Sequence, residues 1–276
     1  MLFRSHYCGY SQRQPRHCKE CGNNSVAPKG SGTQQLETQI SELFTDAKTL
    51  RMDFDTTSGK DAHADILKKF GRKEADILVG TQIVAKGMDF PDVTVVGVID
   101  ADTELAFPSF RSGERMYQLL SQVAGRSGRA EKEGKVFFQT WQPDHPAIKK
   151  AKEHDYKSFA RQELAYRKML QYPPYSRLIR FVFKGKKEQR VQQVAETFTH
   201  SLTEVLGGMD SVLGPSPSAI AKMQNYFRWE TFIKINPANG AHAIEQMVDK
   251  TFDHYDKHKP KGASSVRINV NVDALE

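Results

Sequence analysis

Three short apolar runs, Asp76 to Val79, Thr94 to Ile99 and Lys135 to Thr140, constrain this chain more than anything else in it. Each has the length of a strand, and a segment of helical pattern, Ser112 to Ala124, lies between the last two. Strands that are apolar on both faces need cover on both faces, which is the condition of a parallel sheet between layers of helices. Thr49 to Asp55 alternates like a further strand, and a helix through Phe70 follows it. Residues 29–145 are therefore expected to form one α/β lobe. Its first helix is predicted over Thr33 to Phe44, with Leu36, Ile40 and Leu43 on one face, opened by a capping box of Ser31 and Gln34. Ser58 and Asp61 form a plausible cap for the helix that ends at Phe70.

In open α/β sheets, ligands bind in loops at the carboxyl ends of parallel strands. Gly80-Thr-Gln-Ile-Val-Ala-Lys-Gly-Met-Asp89 starts where one apolar run stops, so Thr81, Gln82, Lys86 and Asp89 are well placed for contacts. A second candidate loop follows the helix Ser112 to Ala124, where Met116, Leu119, Leu120 and Val123 recur at helical spacing and leave Gln118 and Gln122 on the polar side. Gly125 is read as the stop. Gly125-Arg-Ser-Gly-Arg129 then puts Arg126 and Arg129 on a short turn among small residues, where the backbone can approach a ligand. Guanidinium stays charged, and its planar fork matches phosphoryl oxygens. The plainer reading is a surface turn with two solvated arginines.

These two loops resemble motifs five and six in the second motor lobe of superfamily-two helicases. The intervening Asp100-Ala-Asp102, Phe107-Pro-Ser-Phe-Arg111 and Glu114-Arg115 make the chain most similar to the primosomal replication-restart helicases. The resemblance implies a RecA-like second lobe of an ATP-dependent DNA helicase moving 3′ to 5′, working with a first lobe that holds ATP and Mg²⁺. It also implies that Arg126 and Arg129 act as arginine fingers placed by Gln122, and that Gly87, Asp89 and Gly125 lie on the nucleotide side. Thr81, Gln82 and Lys86 would hold the DNA backbone. Asp55, Thr56 and Thr57 would face it as well, although the cap reading explains the same turn. No Gly-x-x-x-x-Gly-Lys-Ser/Thr loop occurs in the chain, so it is expected to hydrolyse no ATP alone. Ser109 stands where the family usually has Asp, and Gln34 where it usually has Glu.

All three cysteines fall in residues 1–28: Cys8, then Cys18-Lys-Glu-Cys21. A structural zinc needs four ligands; His6 and His17 are further donors, and free thiols are the alternative. The resemblance implies that Cys8, Cys18 and Cys21 are the remnant of a module with four C-x-x-C pairs holding two zinc ions, and that the chain begins inside it. Ser5 replaces a family cysteine, which leaves the zinc set short.

Pro143-Asp-His-Pro146 interrupts the lobe. Residues 146–175 read as a connector, a polar helix from about Ala147 to Gln171 ending in Tyr172-Pro-Pro-Tyr175. Residues 176–276 change order: strand Leu178 to Phe183, helix Glu188 to Leu206, strands Ser211 to Leu213 and Phe227 to Ile235, helix His242 to His254, strand Ser265 to Val272. That is a β-α-β-β-α-β run, and the family's C-terminal domain has a similar ribosomal-S10-like fold. Near its hairpin, Lys222, Tyr226, Phe227, Arg228 and Trp229 mix cations with aromatics. Lys222 and Arg228 are candidate DNA contacts, whereas alternate aromatics such as Phe227 and Trp229 read as core. Gly214-Pro-Ser-Pro217 reads as a turn.

A net charge of +7 over 276 residues fits a polyanionic partner, and 38% hydrophobic with 26% charged residues fits folded domains of ordinary composition. No run is long and apolar enough to span a membrane, and no signal peptide is evident, so a cytoplasmic protein without membrane partners is expected. Forked or single-stranded DNA, single-strand-binding protein and other primosome proteins are the partners the resemblance implies. The competing readings are a non-catalytic DNA- or partner-binding fragment, and the second lobe of another superfamily-two repair helicase.

Overall fold

The computed structural model describes residues 2–4, 11–13, 21–22, 32–53, 62–81, 90–125, 134–208 and 211–273. Two compact units emerge, one built on residues 16–104 and 113–159, the other on 105–112 and 160–276 together with 1–15.

In the first unit, β3 (Thr49–Met52) runs parallel to β4 (Ile77–Gly80) with Leu50 opposite Leu78, and β5 (Val95–Val98) runs parallel to β6 (Lys135–Phe138) with Gly97 opposite Phe137. β1 (Leu2–Arg4) and β2 (Ser11–Arg13) form an antiparallel pair in the other unit. The expected single sheet is corrected here. Among the described residues β3–β4 and β5–β6 are separate two-stranded sheets. Nor is the second pair covered on both sides, since Val95 and Phe137 are 59% and 60% exposed. Their alternation of exposed and half-buried positions is that of a one-sided strand.

The helices α1 (Thr33–Leu43) and α2 (Ala62–Gly71) lie against β3. Gly32, not Ser31, is the N-cap of α1: the Leu36 N–H reaches the Gly32 carbonyl and no side chain caps the end. Ser31, Ser58 and Asp61 lie outside the described residues. Leu36 and Ile40 are half-buried as expected, but Leu43 is 76% exposed. On α2, Phe70 meets Phe90 edge-on at 4.9 Å, tying this helix to the approach of β5. The short helix α3 (Thr103–Ala106) follows β5, and α4 (Ser112–Ala124) has the bounds expected from its pattern.

The polar connector is two helices instead of one. α5 (Pro146–Lys152) ends where His154 turns left-handed at φ 54°, and α6 (Tyr156–Met169) begins after it. The break is a Schellman closure: His154 N–H reaches the Ala151 carbonyl and Asp155 N–H the Lys150 carbonyl. The Asp155 carboxylate then accepts from the Ser158 N–H and caps α6.

The remaining strands are β7 (Arg177–Gly185), β8 (Val212–Met223), β9 (Tyr226–Ile235) and β10 (Arg267–Val272), with α7 (Glu188–Leu206) after β7 and α8 (Ala241–His258) after β9. Their order is β10-β7-β9-β8 and every neighbouring pair is antiparallel. Ile179, Phe181 and Phe183 of β7 and Ile233 of β9 form one apolar face with Val191, Val194, Phe198 and Leu202 of α7 and Ile244 and Tyr255 of α8. Phe198 is the hub, its ring centroid within 5.5 Å of Phe181, Phe183, Phe252 and Tyr255. As the sequence suggested, Phe227 and Trp229 pack against this core.

Gly214-Pro-Ser-Pro217 is not a turn but part of the long strand β8, which the sequence reading ended at Leu213. Register shifts between Leu213 and Ser216, and between Pro217 and Lys222, set the two prolines at irregularities of the ladder, where a missing N–H costs little. Gly214, at φ +110°, is required: a Cβ there would lie 2.8 Å from the Glu230 carbonyl oxygen. The turn of the β8–β9 hairpin is Gln224-Asn225, both at positive φ, as tight two-residue hairpins need.

Candidate nucleotide and nucleic-acid interface

The carboxyl end of β3 delivers Asp53, 6% exposed, into a network that fixes where the following loop starts. Thr33 at the head of α1 donates its hydroxyl to Asp53 at 2.5 Å, Arg51 Nε lies 3.1 Å from the same carboxylate oxygen, and Arg51 Nη1 reaches Glu37 at 3.2 Å. A strand residue, a helix start and a helix face are thereby locked together. The sequence reading missed Asp53 and Thr33. The signal available was the i, i+2 spacing of Arg51 and Asp53, which puts opposite charges on one face of a strand. Asp55, Thr56 and Thr57 follow directly and lie outside the described residues.

At the end of β4, Thr81 is exposed. Gln82, Lys86, Gly87 and Asp89 lie outside the described residues.

Beyond β5 the chain turns at Asp100, whose φ is 52°. Ala101 N–H donates to the Gln139 carbonyl and Asp100 N–H to the Gln139 side chain, so this turn is held to the end of β6. Asp102 completes the tie, accepting from Thr140 Oγ1 and from the Trp141 N–H, each at 2.8 Å. Burial pushes the Asp102 carboxyl up, but the bonds from Trp141 and Thr140 outweigh it and hold the group below the ordinary aspartate value. Nearby, Arg115 of α4 lies 3.8 Å from Glu104 of α3.

The helix α4 is positioned by what it buries. Met116 and Leu120 are fully buried and Val123 nearly so, as its pattern predicted; Leu119 is only half-buried, and Tyr117 takes its share of the face. The Tyr117 ring stacks on Phe159 of α6 at 4.3 Å, 8° from parallel. Gln118 turns to Glu114 on the outer side. Gln122 sits half-buried in the last turn, and Gly125 is exposed, its N–H still bonded to the Ser121 carbonyl. Gly125 ends the helix without a left-handed φ, and a Cβ there would lie 3.5 Å from the Ser121 carbonyl oxygen, an ordinary contact. Arg126 and Arg129 lie outside the described residues; what the structure supplies is the anchored helix end that leads into them.

Cys21 is exposed and free, while Cys8 and Cys18 lie outside the described residues. One exposed thiol is a single donor of the four a structural zinc needs. In the C-terminal strands the two candidate DNA contacts separate. Lys222 stands opposite Phe227, on the face the helices cover, with its Nζ 4.9 Å from that ring. Arg228 points to the other face, opposite Lys184.

A mixed α/β lobe with loops at its strand ends is followed in the chain by a four-stranded antiparallel domain, and the family models matching these two parts are those of helicases and of primosomal proteins. The helicase conserved C-terminal domain matches residues 30–131, and the primosomal protein N C-terminal domain matches residues 168–275. The replication restart protein PriA of Bacillus subtilis strain 168 is 40% identical over 266 residues, covering 96% of this chain and 33% of that protein. The PriA of a Synechocystis strain is 41% identical over 274 residues, covering 99% of this chain and 32% of its own length, and that of Haemophilus influenzae is 32% identical over 276 residues, covering 99% and 36%. The chain belongs to the PriA family of replication restart proteins and corresponds to their C-terminal part. It spans about a third of the length of these relatives.

Proposed function

We propose that this chain is the second motor lobe and C-terminal domain of an ATP-dependent 3′→5′ replication-restart helicase, bringing arginines to a nucleotide and a grip to forked or single-stranded DNA. The observation that carries this reading is α4, a helix whose buried face fixes its end directly before the sequence Gly125-Arg-Ser-Gly-Arg129, in a chain of this family. ATP with Mg²⁺, held by a first lobe, would supply the phosphoryl group whose transfer does the work. Arg126 and Arg129 neutralise the charge that builds on that group, and Gln122, half-buried in the last turn of α4, places them. Gly87, Asp89 and Gly125 line the nucleotide side. Thr81, Gln82 and Lys86 hold DNA phosphates, with Asp55, Thr56 and Thr57 on the same track, started by the Asp53 network. Because the arginines contact nucleotide only when two lobes close, hydrolysis drives opening and closing along a strand. Cys8, Cys18 and Cys21 take part in zinc binding only with donors beyond these three. Single-strand-binding protein and other primosome proteins are the protein partners in this reading.

DNA-stimulated ATP hydrolysis by this chain, alone and mixed with a separately expressed first lobe, tests it. Activity is expected in the mixture only, and Arg129→Ala should lower it by about 10³-fold or more, as loss of an arginine finger does. A silent mixture, with DNA binding by the chain intact, leaves the non-catalytic DNA-binding reading in its place. That alternative draws its support from the missing Gly-x-x-x-x-Gly-Lys-Ser/Thr loop.

A further inference from the structure

The strand pairing sets three cations side by side. Arg267 of β10 stands directly opposite Lys184 of β7, and Lys184 directly opposite Arg228 of β9. Directly paired residues of an antiparallel ladder project to the same side, so the three side chains form one row across three strands. Phe183 and Ile268, one position away on β7 and β10, belong to the core beneath α7 and α8, so the row lies on the face turned away from those two helices, at the end remote from Lys234, which Tyr172 covers.

Like charges placed directly opposite destabilise a sheet. The usual relief is an interleaved carboxylate, and among the described residues none of the three has one within ion-pair distance. Glu230, the acidic residue on the same face of β9, is taken by Arg180, which grips one of its oxygens at 2.9 and 2.5 Å. Arg267 is exposed, while Lys184 and Arg228 are half-buried. Beside the row, the Tyr226 ring lies 4.7 Å from Lys184 Nζ.

We infer that the Arg267–Lys184–Arg228 row is a binding strip for the backbone of single-stranded DNA, with Tyr226 as a stacking surface for a base. Strands about 4.8 Å apart spread the three charges over about 10 Å, a span of two to three phosphates on an extended strand. An aromatic ring beside a cationic track suits unpaired bases, whose faces are free, and gives a duplex nothing to stack on. The strip rests on the DNA-binding reading above and deepens it, placing a contact on the C-terminal domain that is separate from Thr81, Gln82 and Lys86. It leaves out Lys222, which faces the other way.

Fluorescence anisotropy with labelled oligothymidine across a salt series tests the strip in the full chain. Each phosphate contact on a single strand contributes about 0.7 to the slope of log affinity against log salt. Arg267→Ala, Lys184→Ala and Arg228→Ala combined should therefore reduce the slope by about 2 and weaken binding, whereas Lys250→Ala, at an exposed lysine of α8, leaves the slope unchanged. Removing mutually repelling charges should leave the melting temperature equal or higher, which separates lost contact from lost fold. Tyr226→Leu should weaken oligothymidine binding without changing the slope. If the unmutated chain binds and the triple variant keeps its slope, the strip is wrong and the DNA-binding reading stands. Failure of the unmutated chain to bind overturns both, and a preference for duplex over single strand overturns the strip.

Discussion

Asp102 shows how a single carboxylate fixes the loop that leaves β5. One oxygen accepts from Thr140 Oγ1 and the other from the Trp141 N–H. Asn at this position keeps one acceptor and turns a donor toward the other partner, so Asp102→Asn should cost about 1.5–3 kcal/mol, the worth of one hydrogen bond to a charged group. Urea unfolding read from Trp141, in a Trp229→Phe background because the chain has two tryptophans, measures it. The pH dependence has a fixed sign: the folded-state value is depressed, so the contribution is full above the ordinary aspartate range, near pH 4, and is lost as pH falls through the lower folded value. The gap between wild type and variant should close in acid; a gap that persists there would assign the effect to packing. Asp102 stood out in the sequence as part of a motif, yet its partners, 38 and 39 residues away, did not. The bonds from Thr33 to Asp53 and from Arg51 to Glu37 were hidden for the same reason, since sequence spacing reports neighbours on one element and not between elements. Lys222 and Arg228 were read together as DNA contacts; the Gln224-Asn225 turn and the ladder register, which turn them to opposite faces, were not visible in the sequence.

Elements with strong periodicity were legible, and those whose ends depend on a single backbone conformation were not. α4 and α7 have the bounds that their apolar spacing predicted, because burial of one stripe decides a helix. The connector looked like one helix because nothing in its polar composition marks His154, where a residue other than glycine takes the left-handed conformation. A glycine at that position has no Cβ to strain, so His154→Gly should stabilise the chain by about 0.5–1 kcal/mol, less the glycine's greater freedom when unfolded. Thermal melting checks this, and destabilisation would mean that the imidazole makes a contact outweighing the strain. β8 was misread in the opposite direction: Gly214-Pro-Ser-Pro217 has the composition of a turn, but ladder irregularities at a sheet edge accept prolines equally well. The two parallel pairs were read as one sheet because apolar composition marks a strand but fixes neither its neighbour nor its cover, as the exposed Val95 and Phe137 show.

At the scale of the molecule, Leu105–Ser112 clusters with residues 160–276 although it follows β5 and precedes α4 in the chain. A cluster of two stacked rings and two cations holds it there. Arg167 lies 5.1 Å from the centre of the Phe110 ring, Phe110 stacks on Tyr172 at 5.1 Å and 9° from parallel, and Lys234 Nζ sits 3.8 Å from the centre of the Tyr172 ring while donating to the Leu170 carbonyl at 2.8 Å. Burial lowers the Lys234 ammonium and raises the Tyr172 phenol, as expected for groups withdrawn from water at the bottom of a stack. The motif Phe107-Pro-Ser-Phe-Arg111 therefore has a physical use that its sequence did not show: Phe110 pins a lobe-side loop to the strand carrying Lys234. Cation–π and aromatic pairs are each worth about 0.5–1.5 kcal/mol, so removing the middle ring should raise the opening of this loop by about tenfold or more. Hydrogen exchange reads it directly, because the Ser109 and Ser112 amides are bonded to the Phe107 and Ser109 carbonyls. In Tyr172→Ala these two amides should exchange faster while those of α7 do not change; equal protection in both proteins would mean that the loop is held by its own turn, including the Ser112 hydroxyl bond to the Phe107 carbonyl, and not by the stack.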